Sequence, residues 1–306
     1  MRVAIATVQV PFLSGGAELL ASGLKGACLE AGHAVDIVTH PFRFTPPSQI
    51  RRSMDLWESE HFAHLTGYTP DATVCLKFPA YYVKAPGKVL WLLHQHRAAY
   101  DLWDDLHGES PATAEDEALR ADIVRRDNEH LAAIGRRYTI AGNVSKRLAH
   151  WNGIASTPVY NPPALAASLY TLPAEDYVFF PSRIESLKRQ SLLIEAMRHV
   201  RSPVVALLGG TGGQAQACEA LVARHGLAPR VRLLGALTDA QLCAFYAASL
   251  GVFFGPRDED YGYVTLEAML SAKPVVTCTD SGGPLEFVVD GETGFVVPPE
   301  PVAIAG

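Results

Sequence analysis

Two regimes of apolar and polar spacing alternate along the chain. Short runs of β-branched and apolar residues at 3–8, 35–39, 73–76 and 89–93 are separated by longer stretches with helical spacing, such as 17–31. Buried strands alternating with amphipathic helices predict a parallel sheet with helices packed on its faces. A polar, helix-rich stretch follows over 114–137, then a strand at 138–141, a helix at 144–151 and a last strand at 157–160. Residues 41–70 fit neither period and are expected to form either an excursion near a cleft or an acceptor-side loop.

Asn161-Pro162-Pro163 then breaks the pattern. Proline donates no backbone N–H and fixes φ, so these residues and the stretch to 176 are expected to link two sheets rather than extend one. Beyond them the alternation restarts, with strands at 177–180, 204–208, 231–234, 251–254, 275–278 and 295–297 and helices at 190–200, 215–225, 240–247 and 264–272. The reading is two α/β lobes in tandem, 1–162 and 163–306. A length of 306 residues agrees, since it exceeds what one hydrophobic core usually serves.

Composition narrows the function classes. With 48% apolar and 19% charged residues the chain is that of a globular protein with a core. A formal charge of −6 offers no footprint for a nucleic acid. The five cysteines are odd in number and lack Cys-x-x-Cys spacing, which suits reduced core residues in a cytoplasmic protein. No apolar run reaches the roughly 18 residues of a membrane span, and the opening residues read as a strand rather than a secretory leader.

Three stretches carry chemistry. Glu259 and Glu267 stand eight apart around Gly262, after the strand at 251–254 and at the opening of a helix. The glycine places Glu259 in the loop and Glu267 on the helix, so the two can flank one ligand. A helix N-terminus suits a diphosphate, and a carboxylate one turn in can accept both hydroxyl hydrogens of a ribose. Arg183 and Lys188 follow the strand at 177–180, at the sheet edge where α/β proteins present binding groups. Two cations there can neutralise a diphosphate without a metal. Ser14-Gly15-Gly16-Ala17-Glu18 follows the first strand, where backbone N–H groups can meet phosphate. Each stretch alone reads as readily as a surface pair, a solvated acid or an ordinary turn. His94 and His96 end the strand at 89–93, and if both lie on it they share a face and could line a site or hold a metal together.

Taken in order, these stretches resemble the retaining, nucleotide-sugar-dependent glycosyltransferases of family 4. The resemblance also rests on residues 231–239, on Asp280-Ser281-Gly282-Gly283-Pro284-Leu285-Glu286 and on Asp290-Gly291-Glu292-Thr293-Gly294. It implies the GT-B fold, two Rossmann-like lobes facing each other across a cleft, the second binding the nucleotide sugar. By position, Arg183 and Lys188 match the diphosphate-binding pair and Glu267 the acid that holds the ribose. Glu259 matches the acid near the donor sugar, and Gly15 and Gly16 the glycines near donor phosphate. Residues 234–238, Leu237 among them, would flank the base; Tyr263 and Val264 would open the binding helix; His94 would stand near the transferred sugar. Two departures stand out: the family's Asn-Ser appears as Asn143-Val144-Ser145, and such proteins generally continue past Gly306 with a helical segment.

The implied activity is transfer of a hexosyl unit from a UDP- or GDP-sugar to a hydroxyl of a glycan or lipid-linked glycan. Configuration would be retained, no cofactor or metal would be needed, and the role would be in bacterial polysaccharide synthesis. A cytoplasmic protein with peripheral membrane association is expected if Arg125, Arg126, Arg136, Arg137, Lys146 and Arg147 meet anionic lipid. The competing readings are a non-catalytic nucleotide-sugar-binding subunit, a manganese-dependent transferase using Asp258-Glu259-Asp260, and a metal hydrolase built on His94 and His96.

Overall fold

The computed structural model describes residues 1–12, 15–65, 67–108 and 110–306. The chain forms two compact units, Met1–Asn161 and Pro162–Gly306.

In the first unit the order is β1 (Arg2–Gln9), α1 (Gly16–Glu30), β2 (Ala34–Pro41), α2 (Pro47–Ser59), β3 (Ala72–Cys75), β4 (Lys88–Leu92), α3 (Trp103–His107), α4 (Ala114–Ala132), β5 (Arg136–Thr139), α5 (Gly142–Asn152) and β6 (Thr157–Pro158). Its six strands pair in parallel in the order β2-β1-β3-β4-β5-β6. The apolar runs at 3–8 and 89–93 are strand interiors, with Ile5, Ala6, Leu90 and Leu92 fully buried.

One expectation fails here. Residues 41–70 contain the regular helix α2, with Pro46 and Pro47 at its start, where the missing N–H is no loss. Ile50, Met54 and Trp57 form its buried face, and Trp57 lies edge-on to His40 at 4.7 Å. The face shows in only three large apolar residues among arginines and serines, so the period is weak in sequence and set by burial.

The second unit runs β7 (Tyr177–Pro181), α6 (Gln190–Ala196), β8 (Val205–Gly209), α7 (Ala215–Arg224), β9 (Val231–Gly235), α8 (Asp239–Ala248), β10 (Gly251–Phe253), α9 (Tyr263–Leu270), β11 (Val275–Cys278), β12 (Gly294–Val297) and α10 (Pro301–Ala305). Its sheet is also parallel, ordered β12-β11-β10-β7-β8-β9. Phe179, Phe180, Tyr246, Phe253 and Phe254 fill its centre, with Phe180 against Phe253 at 5.4 Å. The helix expected at 190–200 is shorter, ending at Ala196. Thr238 and Gln241 cap α8 reciprocally, through contacts of 2.9 and 3.3 Å.

All five cysteines are free thiols, four of them buried. Among the described residues, no helix is long and apolar enough to cross a membrane.

Candidate functional site

Starting from β7, the second sheet grows through β8 to β9 on one side and then returns to add β10, β11 and β12 on the other. The strand order reverses between β7 and β10, and the carboxyl ends of strands at such a reversal are where open α/β sheets bind ligands. Lys188 lies in the loop after β7 and Glu259 in the loop after β10.

These two side chains meet. The Lys188 ammonium forms an ion pair with the Glu259 carboxylate, at 16% and 21% side-chain exposure, and stands 5.7 Å from the centre of the Phe254 ring. Glu259 is also held through its backbone, its N–H donating to Ser281 O at 2.9 Å and its C=O accepting from Gly283 N–H at 2.8 Å. Arg183, the other expected cation, is exposed, and its C=O accepts from the Gln190 side chain at 2.9 Å.

Gly262 turns the chain from this loop into α9. Its φ is +88°, and a Cβ there would stand 2.9 Å from Pro284 Cγ, so both backbone and space require glycine. Tyr263 and Val264 are therefore the first residues of a helix whose leading N–H groups have no partner within it. Glu267 lies in the second turn. The Tyr246 hydroxyl donates to its Oε2 at 2.7 Å, and burial pushes its carboxyl above the ordinary value. Among the described residues Tyr246 is the only hydrogen-bond donor to this carboxylate.

Leu237 sits over the end of β8, where a Cβ on Gly209 would come within 2.6 Å of its Cδ1. The run Gly209-Gly210-Thr211-Gly212-Gly213 went unread in the sequence although its composition marks it. It lies directly on the β7 loop: a Cβ on Gly212 would fall 2.3 Å from Ile184 O. The other missed feature is Arg189, whose guanidinium forks onto Asp280 at 2.7 and 2.8 Å across 91 residues of sequence.

In the first unit Gly15 caps α1, and its N–H donates to Glu18 Oε2 at 2.9 Å, so that group is engaged within the chain. Gly16 is the first residue of α1, and Ser14 lies outside the described residues. The expectation that His94 and His96 share a strand face is corrected, because β4 ends at Leu92. His94 Nδ1 contacts Gln95 O at 2.6 Å. A carbonyl only accepts, so Nδ1 carries a hydrogen. His96 is buried among Phe42, Phe44 and Phe78, and this burial pushes its pKa down to about 4. Among the described residues, no three His, Cys, Asp or Glu side chains converge as a metal site. Of the basic residues expected to meet lipid, Arg125 pairs with Asp122 and Glu129. Arg126 pairs with Asp55, Glu58 and Asp122.

Comparison with known proteins bears on this unit first. Residues 171–305 match the family model of the group 1 glycosyl transferases. A D-inositol 3-phosphate glycosyltransferase of Mycobacteroides abscessus is 33% identical over 128 residues, covering 40% of this chain and 29% of that protein. The matched segment thus spans under a third of that relative's length. Among solved structures, Anabaena HepE in complex with UDP and glucose superposes with a TM-score of 0.68 at 20% identity, covering 100% of this chain and 88% of that one. Sucrose-phosphate synthase from Thermosynechococcus elongatus gives 0.76 at 18% identity, with 99% and 88% covered. The chain therefore has the two-unit α/β architecture of the GT-B fold, and over residues 171–305 it matches the group 1 glycosyl transferases.

Proposed function

We infer that this protein is a glycosyltransferase that moves a hexosyl unit from a UDP- or GDP-sugar to a hydroxyl of a glycan or lipid-linked glycan. The observation that carries the reading is the meeting of Lys188 and Glu259 at the strand-order reversal, with an under-satisfied carboxylate, Glu267, on the helix that follows. A cation, the start of a helix and a carboxylate with an oxygen to spare are the three groups that a nucleoside diphosphate needs. Binding of UDP in a superposable protein supports the donor class.

In this reading the Lys188 ammonium leaves Glu259 for the donor diphosphate, and Arg183 reaches it from the same loop. Negative charge grows on the leaving diphosphate in the transition state, so preorganised cations there lower the barrier. Glu267 accepts from the ribose hydroxyls, Leu237 flanks the base, and Tyr263 and Val264 direct N–H groups at phosphate. Once Lys188 moves away, Glu259 can accept from a hydroxyl of the transferred sugar. Retention follows if a leaving phosphate oxygen takes the acceptor proton on the face that the diphosphate leaves; no side chain is assigned as base. The reaction is proposed to need neither metal nor cofactor and to serve bacterial polysaccharide synthesis, by a protein working in the cytoplasm or peripherally at its membrane. The roles proposed in the first unit, His94 toward the sugar and Gly15 and Gly16 toward phosphate, rest on the family resemblance.

Release of nucleoside diphosphate from a panel of UDP- and GDP-sugars, with glycan acceptors and in excess EDTA, tests the reading. Lys188→Ala is expected to lower kcat by about 10²–10³-fold, the scale for removing one preorganised electrostatic group. Wild-type kinetics in that variant, or turnover that requires manganese, would sink it.

A further inference from the structure

Arg189 is the residue next to Lys188, between the short turn Ser186–Lys188 and the first residue of α6. Its φ is +56°, in the left-handed region that a residue with a side chain occupies only under constraint. The constraint is its guanidinium. Nε donates to Gly255 O at 2.8 Å and Nη2 to Pro256 O at 2.8 Å. Nη2 and Nη1 then fork onto the two oxygens of Asp280 at 2.7 and 2.8 Å. One planar group thus ties together the loops after β7, β10 and β11.

The backbone repeats the tie. Arg257 N–H donates to Leu187 O at 2.8 Å, and Asp258 N–H donates to Asp280 O at 2.8 Å. Lys188 therefore projects from one side of the clamp, and Glu259 stands three residues past Pro256 on the other. The Asp280 carboxyl is held below its ordinary range by the hydrogen bonds from Arg189, so the pair is charged at neutral pH. Lysine cannot do the same work, because a point ammonium lacks the fork that meets two carbonyls and a carboxylate at once.

We propose that Arg189, locked by Asp280, is a positioning residue that sets the Lys188 ammonium and the Glu259 loop for the second phosphate of the donor. It does so without touching the ligand. The proposal rests on the nucleotide-sugar reading above and adds to it a residue pair to which no role has so far been given.

Titration calorimetry of UDP and UMP, with GDP and GMP in parallel, tests it on the whole chain, alongside thermal unfolding of each variant. Arg189→Gly removes the fork and keeps a backbone at ease at this φ. That variant and Asp280→Asn are expected to weaken the diphosphate by about tenfold while the monophosphate changes by less than about twofold. Arg189→Lys is not expected to restore the ratio, and the double variant should be no worse than the worse single one, because the two side chains act as one device. A purely architectural role predicts a lowered Tm with both nucleotides weakened alike, and that result, or unchanged binding, overturns the positioning role alone. A wild-type protein that binds neither diphosphate overturns the nucleotide reading and this assignment with it.

Discussion

Two carboxylates, a buried one in the first unit and a half-buried one in the second, are held by tyrosine hydroxyls in different ways. In the first unit Asp127 on α4 is fully buried and accepts from Tyr81 at 2.8 Å, Tyr82 at 2.7 Å and Tyr100 at 2.7 Å. Asn152 extends the network, donating to Tyr100 and Asn128 and accepting from Gln95. In the second unit Glu267 accepts from Tyr246 and, among the described residues, from no other group. An ionised carboxylate offers about four acceptor positions. Asp127 fills most of its own within the protein and so joins α4 and α5 to the loops that carry the three tyrosines. Glu267 is oriented by one hydroxyl and keeps acceptor capacity for a ligand. In the proposed reading the same pairing is architecture where it is satisfied and a binding group where it is not.

The sharpest way to break this contrast is Asp127→Ala. Three tyrosine hydroxyls would lose their buried acceptor, and unfolding free energy should fall by about 3–5 kcal/mol in a denaturant titration. A loss under about 1 kcal/mol would show that the network does not hold the unit together.

The second test uses pH. Burial pushes the Asp127 carboxyl up from 3.8 to about 6, with the three hydroxyls opposing that shift. The folded state then holds this proton where the unfolded chain has released it. Stability contributed at Asp127 is greatest below about 3.8, falls as pH rises toward about 6 and is flat above. Comparing wild type with Asp127→Asn across that window should isolate a slope worth roughly 3 kcal/mol in total, which the amide abolishes. Parallel profiles would contradict the buried, acceptor-rich environment.

Glu267→Ala should divide its effects differently from Asp127→Ala. One buried hydroxyl, that of Tyr246, loses its acceptor, so unfolding free energy is expected to fall by about 1–3 kcal/mol, while nucleoside diphosphate affinity falls about 10–100-fold for the loss of hydrogen bonds to a charged group. The smallest effect is expected at His96. With its pKa near 4, the ring is neutral at working pH and behaves as one more aromatic beside Phe42, Phe44 and Phe78. His96→Phe should change stability by under about 1.5 kcal/mol and leave any neutral-pH activity in place, since near-isosteric core exchanges are tolerated.

What the sequence disclosed, and what it withheld, follow from range. Strands and helices of both units were legible because burial imposes a period on neighbouring residues, and so was the placement of Glu259 before the helix, since Gly262 lies between it and Glu267. Helix α2 was missed because its apolar face is three residues wide. Same-face pairing of His94 and His96 was assumed on a strand that stops at Leu92. The Asp127 network joins residues 27 to 46 positions apart, and the Arg189 fork reaches across 91. Contacts at such distances leave no periodic trace. Only the oddity of a charged residue at a left-handed turn marks Arg189, and that is visible in the backbone alone.

The most direct test of the central claim, that the strand-order reversal of the second unit is a nucleotide site, is thermal unfolding with and without UDP and GDP, in the wild type and in Glu267→Ala. A ligand bound only by the folded state adds stability in proportion to RT ln(1 + [L]/Kd), so one of the two nucleotides should raise the wild-type Tm and raise that of Glu267→Ala much less. Equal shifts in both proteins would place the nucleotide elsewhere, and no shift from either nucleotide in the wild type would contradict the account.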